Sequence, residues 1–284
     1  MMLQNSVEDI SLIEQAISVQ SGYAPVNGLN MYYEIHGSGG TPLVLLHGAF
    51  SAIGSSFGKL LPGLAKTRQV IGVELQAHGH TADIDRPLRL EFLADDVAAF
   101  LQYLNVPQAD VFGYSNGAAV ALRVAIQHPN FVRKLIVMSA AFAAHGIHPG
   151  LMEGLGEMTP EMMYGSPWHE EYMRIAPHPE HFNAFFAKKT DMDRAVKDIP
   201  AGTIQSIAAP TLIIIGDSDL VRPEHAVEMF RLLGGGVFGD MPPGMPDSQL
   251  AIVPGASHVS VAERAELLVP MIERFLDAPM PREK

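Results

Sequence analysis

Gly113-Tyr114-Ser115-Asn116-Gly117 stands between a strand-like run, Ala109-Asp110-Val111-Phe112, and an alanine-rich helical run from Ala118 to Gln127. In that setting the five residues read as a tight strand-to-helix turn that pushes the Ser115 side chain into the open. Gly113 and Gly117 lack side chains, which at those positions would collide with the neighbouring strand and helix. G-x-S-x-G by itself arises by chance in roughly one chain in ten of this length, so the flanking strand and helix give it weight.

A serine hydroxyl is a poor nucleophile at neutral pH and needs a histidine to accept its proton and a carboxylate to orient that histidine. His258 suits the first role. It follows the last apolar run in Val253-Pro254-Gly255-Ala256-Ser257-His258, on a loop at the carboxyl end of a strand, where open α/β sheets place their ligand sites. For the acid, Ile215-Gly216-Asp217-Ser218-Asp219 offers Asp219 or Asp217 in the loop after the preceding strand. The strand Leu135 to Met138 is followed by Ser139-Ala140-Ala141, which supplies no carboxylate. Upstream, Leu46-His47-Gly48-Ala49-Phe50 follows an early strand. The amide of Ala49, or that of Phe50, can pair with the amide of Asn116 to hold a developing oxyanion. His47 is expected to anchor this loop.

The chain has 284 residues, 48% of them hydrophobic, which suits one large α/β domain with an insertion. A formal charge of −12 repels phosphate backbones and anionic lipid, so no nucleic acid or membrane partner is expected. No apolar run approaches the ~20 residues of a membrane helix, and Met1 to Gln20 does not resemble a secretory leader. A cytoplasmic protein is the default expectation. The absence of cysteine excludes disulfides, thiolate nucleophiles and cysteine metal sites.

Along the chain, Ile10, Ile13 and Ile17 predict a short helix over 6–18 within an N-terminal extension, residues 1–20. Val26-Asn27-Gly28-Leu29 predicts a hairpin turn leading to a strand from Asn30 to Ile35. Buried strands are then expected at Leu43 to Leu46, Val70 to Leu75, Asp110 to Phe112, Leu135 to Met138, Leu212 to Ile215 and Leu250 to Val253. Leu93, Val97, Phe100, Leu101 and Leu104 form a helical stripe suited to a crossover between two of them. The fold class is α/β, a mostly parallel twisted sheet with an antiparallel N-terminal hairpin and helices on both faces. Residues 21–140 and 204–284 form its core. Over 141–203 the strand rhythm is lost and methionines and aromatics accumulate, which predicts an inserted helical cap. Phe50, Tyr114, Phe142, Met163 and Trp168 are the candidate substrate-pocket residues, since flexible thioethers and aromatic rings suit an adaptable apolar pocket. The cap histidines His145, His148, His169, His178 and His181 show no metal-like spacing with carboxylates, and Asp83, Asp85 and Arg86 read as a solvated loop.

The order Ser115, Asp219, His258, with the His47-Gly48 loop upstream, resembles the α/β-hydrolase superfamily from about Gly22 to Ala278. Gly113 to Gly117 matches its G-x-S-x-G, Gly216 to Asp219 its G-x-x-D, and Gly255 to His258 its G-x-x-H. The resemblance favours Asp219 over Asp217. Glu74 to Thr81 is similar to the family's D-x-x-G-x-G-x-S loop, with Glu74, Ala77 and Thr81 substituted, a loop that is structural in most members. A serine nucleophile implies a carboxylic-ester hydrolase acting on a small to medium, mostly apolar molecule without metal or cofactor. Rival readings are a cofactor-free perhydrolase, or a carbon-carbon hydrolase, which would want Arg174 or Arg194 facing the cleft. A non-catalytic ligand-binding protein of the same fold is the remaining alternative.

Overall fold

A computed structural model describes residues 19–281 apart from Pro243, so the helix expected over 6–18 and nearly all of the extension 1–20 lie outside the described residues. The strands are β1 (Gln20–Val26), β2 (Leu29–His36), β3 (Leu43–Leu46), β4 (Val70–Val73), β5 (Ala109–Tyr114), β6 (Val132–Met138), β7 (Thr211–Ser218) and β8 (Gln249–Ser257). They form one eight-stranded sheet in the order β1-β2-β4-β3-β5-β6-β7-β8. The hairpin β1–β2 is antiparallel, β2 meets β4 antiparallel, and all later pairings are parallel. Asn27 and Gly28 both have positive φ, 48° and 84°, the two-residue turn whose twist matches that of its strands.

Apolar residues fill both faces because helices cover both. In β3, Val44 and Leu46 join the cluster under the helices Leu90–Tyr103 and Asn116–Gln127. Leu43 and Leu45 point the other way, to the cluster under Ala265–Asp277. The pleat alternates side chains between faces, so a strand buried on both sides must be apolar throughout. Between β6 and β7 the chain leaves the sheet and forms the helices Leu151–Gly156, Pro167–Ile175, Phe182–Ala195 and Ala201–Gln205, joined by short 3-10 turns.

Two features of this framework position the loops at the carboxyl ends of the strands. The first is the contact between the helix Asn116–Gln127 and β3. A Cβ on Gly117 would run into the carbonyls of Leu46 and His47, and one on Gly113 into the backbone of Gly117 and Ala118. The second is the bracing of the loop after β3. His47 is fully buried; its Nδ1–H donates to the Gly48 carbonyl at 2.8 Å, and its Nε2 accepts the Leu75 amide at 3.0 Å. Ser51 Oγ donates to the same Gly48 carbonyl, while the Gly48 amide donates to Ser56 Oγ. Burial holds the His47 imidazole down at about 4, so it stays neutral and fixed in one tautomer.

Asp83 and Arg86 are not solvated as the sequence suggested. Arg86 makes a two-pronged ion pair with the fully buried Asp96 and also donates to Gln76 Oε1. Asp83 accepts from Gln76 Nε2 at 2.7 Å and from Lys188 Nζ at 2.6 Å, which ties the helix Phe182–Ala195 to the core. The partners are seven or more residues away in sequence, beyond the reach of local pattern.

Two stability measurements follow. Gly117→Ala is expected to lose about 1–3 kcal/mol in urea unfolding, because the helix must move off β3 to admit the methyl group. For His47 the folded value lies below the unfolded one, so the unfolded chain binds the extra proton and stability falls as pH drops from 6.5 toward 4. The contribution is at most about 3 kcal/mol. His47→Gln, which takes up no proton there, is expected to flatten that part of the pH–stability curve relative to wild type.

Candidate active site

Ser115 is the residue between β5 and its helix, and its backbone is strained at φ 54°, ψ −118°. Such a conformation costs on the order of 1–3 kcal/mol and persists only when its surroundings impose it. Here the Ser115 amide donates to the Met138 carbonyl at 2.8 Å, and the Ser115 carbonyl accepts the amides of Ala118 and Ala119. With both backbone ends held, Oγ projects from the turn and meets His258 Nε2 at 2.9 Å.

His258 follows β8, and its Nδ1–H donates to Asp219 Oδ1 at 2.8 Å. The proton is thereby placed on Nδ1, which leaves the Nε2 lone pair for the serine hydroxyl. Tyr114 holds His258 from the other side, its hydroxyl donating to the His258 carbonyl at 2.8 Å. Burial, and then the charges of Asp219 and Glu263, push the Tyr114 phenol up to about 12, so it remains a donor.

Asp219, and not Asp217, stands behind His258. The Asp219 side chain is buried; Oδ2 accepts from Ser139 Oγ at 2.5 Å and the Gly216 amide at 3.2 Å, and Oδ1 also accepts the Val221 amide at 3.3 Å. Burial alone would raise this carboxyl. Hydrogen bonds from His258, Ser139 and Gly216, with the attraction of the His258 charge, outweigh it and hold Asp219 below the usual carboxylate range. Asp217 is exposed and accepts the amides of Gly255 and Ala256, bracing the turn that carries His258. Ser139, which the sequence offered only as the absence of an acid, turns out to supply a hydrogen bond to Asp219.

The oxyanion candidates are Ala49 and Phe50 in the loop after β3 and Asn116 at the start of the helix Asn116–Gln127. Phe50 has φ 56°, which turns the loop after Ala49. Among the described residues the amides of Ala49 and Phe50 are free of hydrogen bonds within the protein. Asn116 is the first residue of its helix, so its amide has no intrahelical acceptor and lies at the positive end of the helix dipole. Its side-chain Nδ2 is likewise buried without a partner.

These groups open into a cavity of about 890 Å³ between the sheet and the helices that follow β6. All five residues named from the sequence, Phe50, Tyr114, Phe142, Met163 and Trp168, line it. Phe50 packs on Phe185 and Phe186 at 5.1 and 5.5 Å between ring centroids, so the residue beside Ala49 also seats the helix Phe182–Ala195. Arg174 and Arg194 do not line the cavity; Lys189 and Arg123, which the sequence did not single out, do. Both were missed because one sits in a helix otherwise read as packing and the other two turns beyond the serine.

The histidines group more closely than their spacing suggested. His145, His225 and Glu228 come together, as do His178, Glu180 and His181. In the first group His225 Nε2 accepts the Phe142 amide, so its proton sits on Nδ1 and is donated to Glu228; the neutral ring has no lone pair left for a metal. The second group is fully exposed. Phe142 stacks on the buried His225 ring at 4.2 Å, which fixes one wall of the cavity.

Residues 41–199 match the family model described as the alpha/beta hydrolase fold, a stretch that includes Ser115 and ends before Asp219 and His258. Serine hydrolase BPHL from Homo sapiens is 25% identical over 80% of each chain. A pimeloyl-[acyl-carrier protein] methyl ester esterase from Neisseria meningitidis is 28% identical over 84% of this chain and 78% of its own. A meta-cleavage product hydrolase from Pseudomonas fluorescens IP01 superposes with a TM-score of 0.69 at 17% identity, covering 92% of this chain and 98% of that one, a likeness of fold. No helix among the described residues is long and apolar enough to cross a membrane. With more than half its length under that family model and the strand order on the page, the chain belongs to the alpha/beta hydrolase fold family.

Proposed function

We propose that the protein hydrolyses a carboxylic ester of a small to medium, mostly apolar molecule through an acyl-enzyme on Ser115. The observation that carries this reading is the continuous hydrogen-bonded line from Ser115 Oγ through His258 to Asp219, opening on a cavity large enough for such a molecule. Ser115 Oγ attacks the ester carbonyl while His258 Nε2 takes its proton. The amides of Ala49 and Asn116 hold the carbonyl oxygen as it becomes negative, and Asp219 stabilises the imidazolium. His258 then returns the proton to the departing alcohol. Water, deprotonated by the same imidazole, attacks the acyl-enzyme and releases the acid.

The residues after β6, from about 141 to 203, serve in this reading as the cap that closes the cavity and excludes water. Phe142, Met163 and Trp168 supply its apolar wall, with Phe50 and Tyr114 from the core. Similarity to a serine hydrolase and to a methyl ester esterase supports the ester substrate and the serine chemistry alike. Carbon-carbon hydrolysis of an acidic diketone is the rival, and the cap cations lining the cavity are Lys189 and Lys197 where that reading asked for Arg174 or Arg194.

The test is release of p-nitrophenol from short- and medium-chain esters. Ser115→Ala is expected to lose roughly a thousandfold or more in kcat relative to wild type, and Asp219→Asn a loss of the same order with the fold intact. Absence of ester turnover by wild type, together with strong turnover of a dienoic diketo acid, would overturn the proposal in favour of its rival.

A further inference from the structure

Polar groups that line the cavity from the helices Asn116–Gln127 and Phe182–Ala195 have a pattern that ester cleavage does not use. Lys189 lines the wall yet is only 5% exposed, while its ion-pair partner, Asp193, is 43% exposed at the side chain. That is the reverse of a surface i,i+4 pair, in which both charges face water. Arg123 lines the same cavity with a side chain 12% exposed. Its Nη2 donates to the Lys197 carbonyl at 3.3 Å. Arg123 Nε lies 3.2 Å from Glu91 Oε1, but without the alignment of a hydrogen bond, so this buried N–H has no acceptor. Of the acids in the lining, Asp193 is taken by Lys189, and Asp198 accepts the Ala144 amide at 2.7 Å. In a chain of net charge −12, the cavity lining holds Arg123, Lys189 and Lys197 together with Asp193 and Asp198, and the Arg123 Nε–H is buried there without a hydrogen-bond acceptor.

A buried donor without a partner costs stability, and a site that retains such donors favours a ligand that satisfies them. We propose that the wall lined by Arg123 and Lys189 binds a carboxylate, so that the substrate is an ester whose acyl chain ends in an acid group. The inference rests on the ester hydrolysis proposed above. The direction of the acyl chain follows from the chemistry. The leaving alcohol must lie against His258, which gives it a proton, on the side where the lining includes Glu263. The acyl chain then runs the other way, along Ser115, Ala119, Leu122 and Arg123, which share one face of the helix and all line the cavity. Eight residues of helix separate Ser115 from Arg123, a rise of roughly 12 Å at 1.5 Å per residue, which suits a medium-length chain.

The experiment compares kcat/KM for p-nitrophenyl octanoate and for the mono-p-nitrophenyl ester of octanedioic acid, in wild type, Lys189→Met and Arg123→Gln. Wild type is expected to prefer the acid ester, and the acid-to-neutral ratio to fall by roughly tenfold to a hundredfold in Lys189→Met, the range of one charge-assisted hydrogen bond. Arg123→Gln, which keeps a polar side chain, is expected to lower the ratio in the same direction and gives an answer should Lys189→Met misfold. A wild type that prefers the neutral ester, or variants that lose both esters in equal proportion, would sink the acidic-chain inference and leave ester hydrolysis standing. Failure of wild type to cleave either ester removes both.

Discussion

The close approach of one helix to one strand is the constraint on which the rest of this architecture depends. The helix Asn116–Gln127 lies so near the carboxyl end of β3 that Gly117 faces the carbonyls of Leu46 and His47 with no space for a methyl group. That contact lets β5 turn into the helix within one residue, and the residue is Ser115 at φ 54°. The strain is held by backbone hydrogen bonds on both sides, to Met138 on β6 and from Ala118 and Ala119. The loop after β3 is pinned separately through His47. Ala49 and Asn116 both line the cavity, carried by two elements that pack closely at Gly117.

Burial and charge are balanced differently in the framework and around the cavity. In the framework, several buried ionic groups are matched: Arg86 grips Asp96, Arg133 makes a two-pronged pair with Asp110, and Lys134 donates to the carbonyls that end the helix Ala265–Asp277. Breaking such a pair strands a charge, which costs far more than the pair contributes, so these act as registration points between elements. Around the cavity the matching is incomplete, with Asn116 Nδ2 and Arg123 Nε buried and unpartnered.

Much of this was legible in the residues. The period-two burial and apolar runs predicted the strands, since a sheet covered on both faces leaves little latitude in side-chain type, and the Asn27-Gly28 turn specifies its hairpin through φ alone. Ser115, Asp219 and His258 were legible because each sits just past a strand, where loop chemistry is set by position in the sheet. What the sequence hid was cross-chain partnering. Ser139 bonds Asp219 across 80 residues and Tyr114 bonds His258 across 144. Asp83 and Arg86 looked like surface charges until the fold brought Gln76, Asp96 and Lys188 to them. Neither periodicity nor spacing carries such information.

The acid's location bears on how the site keeps its geometry. Asp219 lies at the end of β7, next to β6 in the sheet, and Ser139, the first residue after β6, donates to it. His258 hangs from β8 on the other side of β7, with its turn braced by Asp217. The imidazole is thus located by adjacent strands rather than by the helices between β6 and β7. Phe142 and the wall it forms depend instead on His225 and on the backbone bond from the Ile199 amide to the Phe142 carbonyl, both beyond the sheet's own ladder. The bonds that locate the Ser115–His258–Asp219 line thus run between adjacent strands of the sheet, while those that locate Phe142 run through the segment between β6 and β7 and the helix Pro223–Leu232.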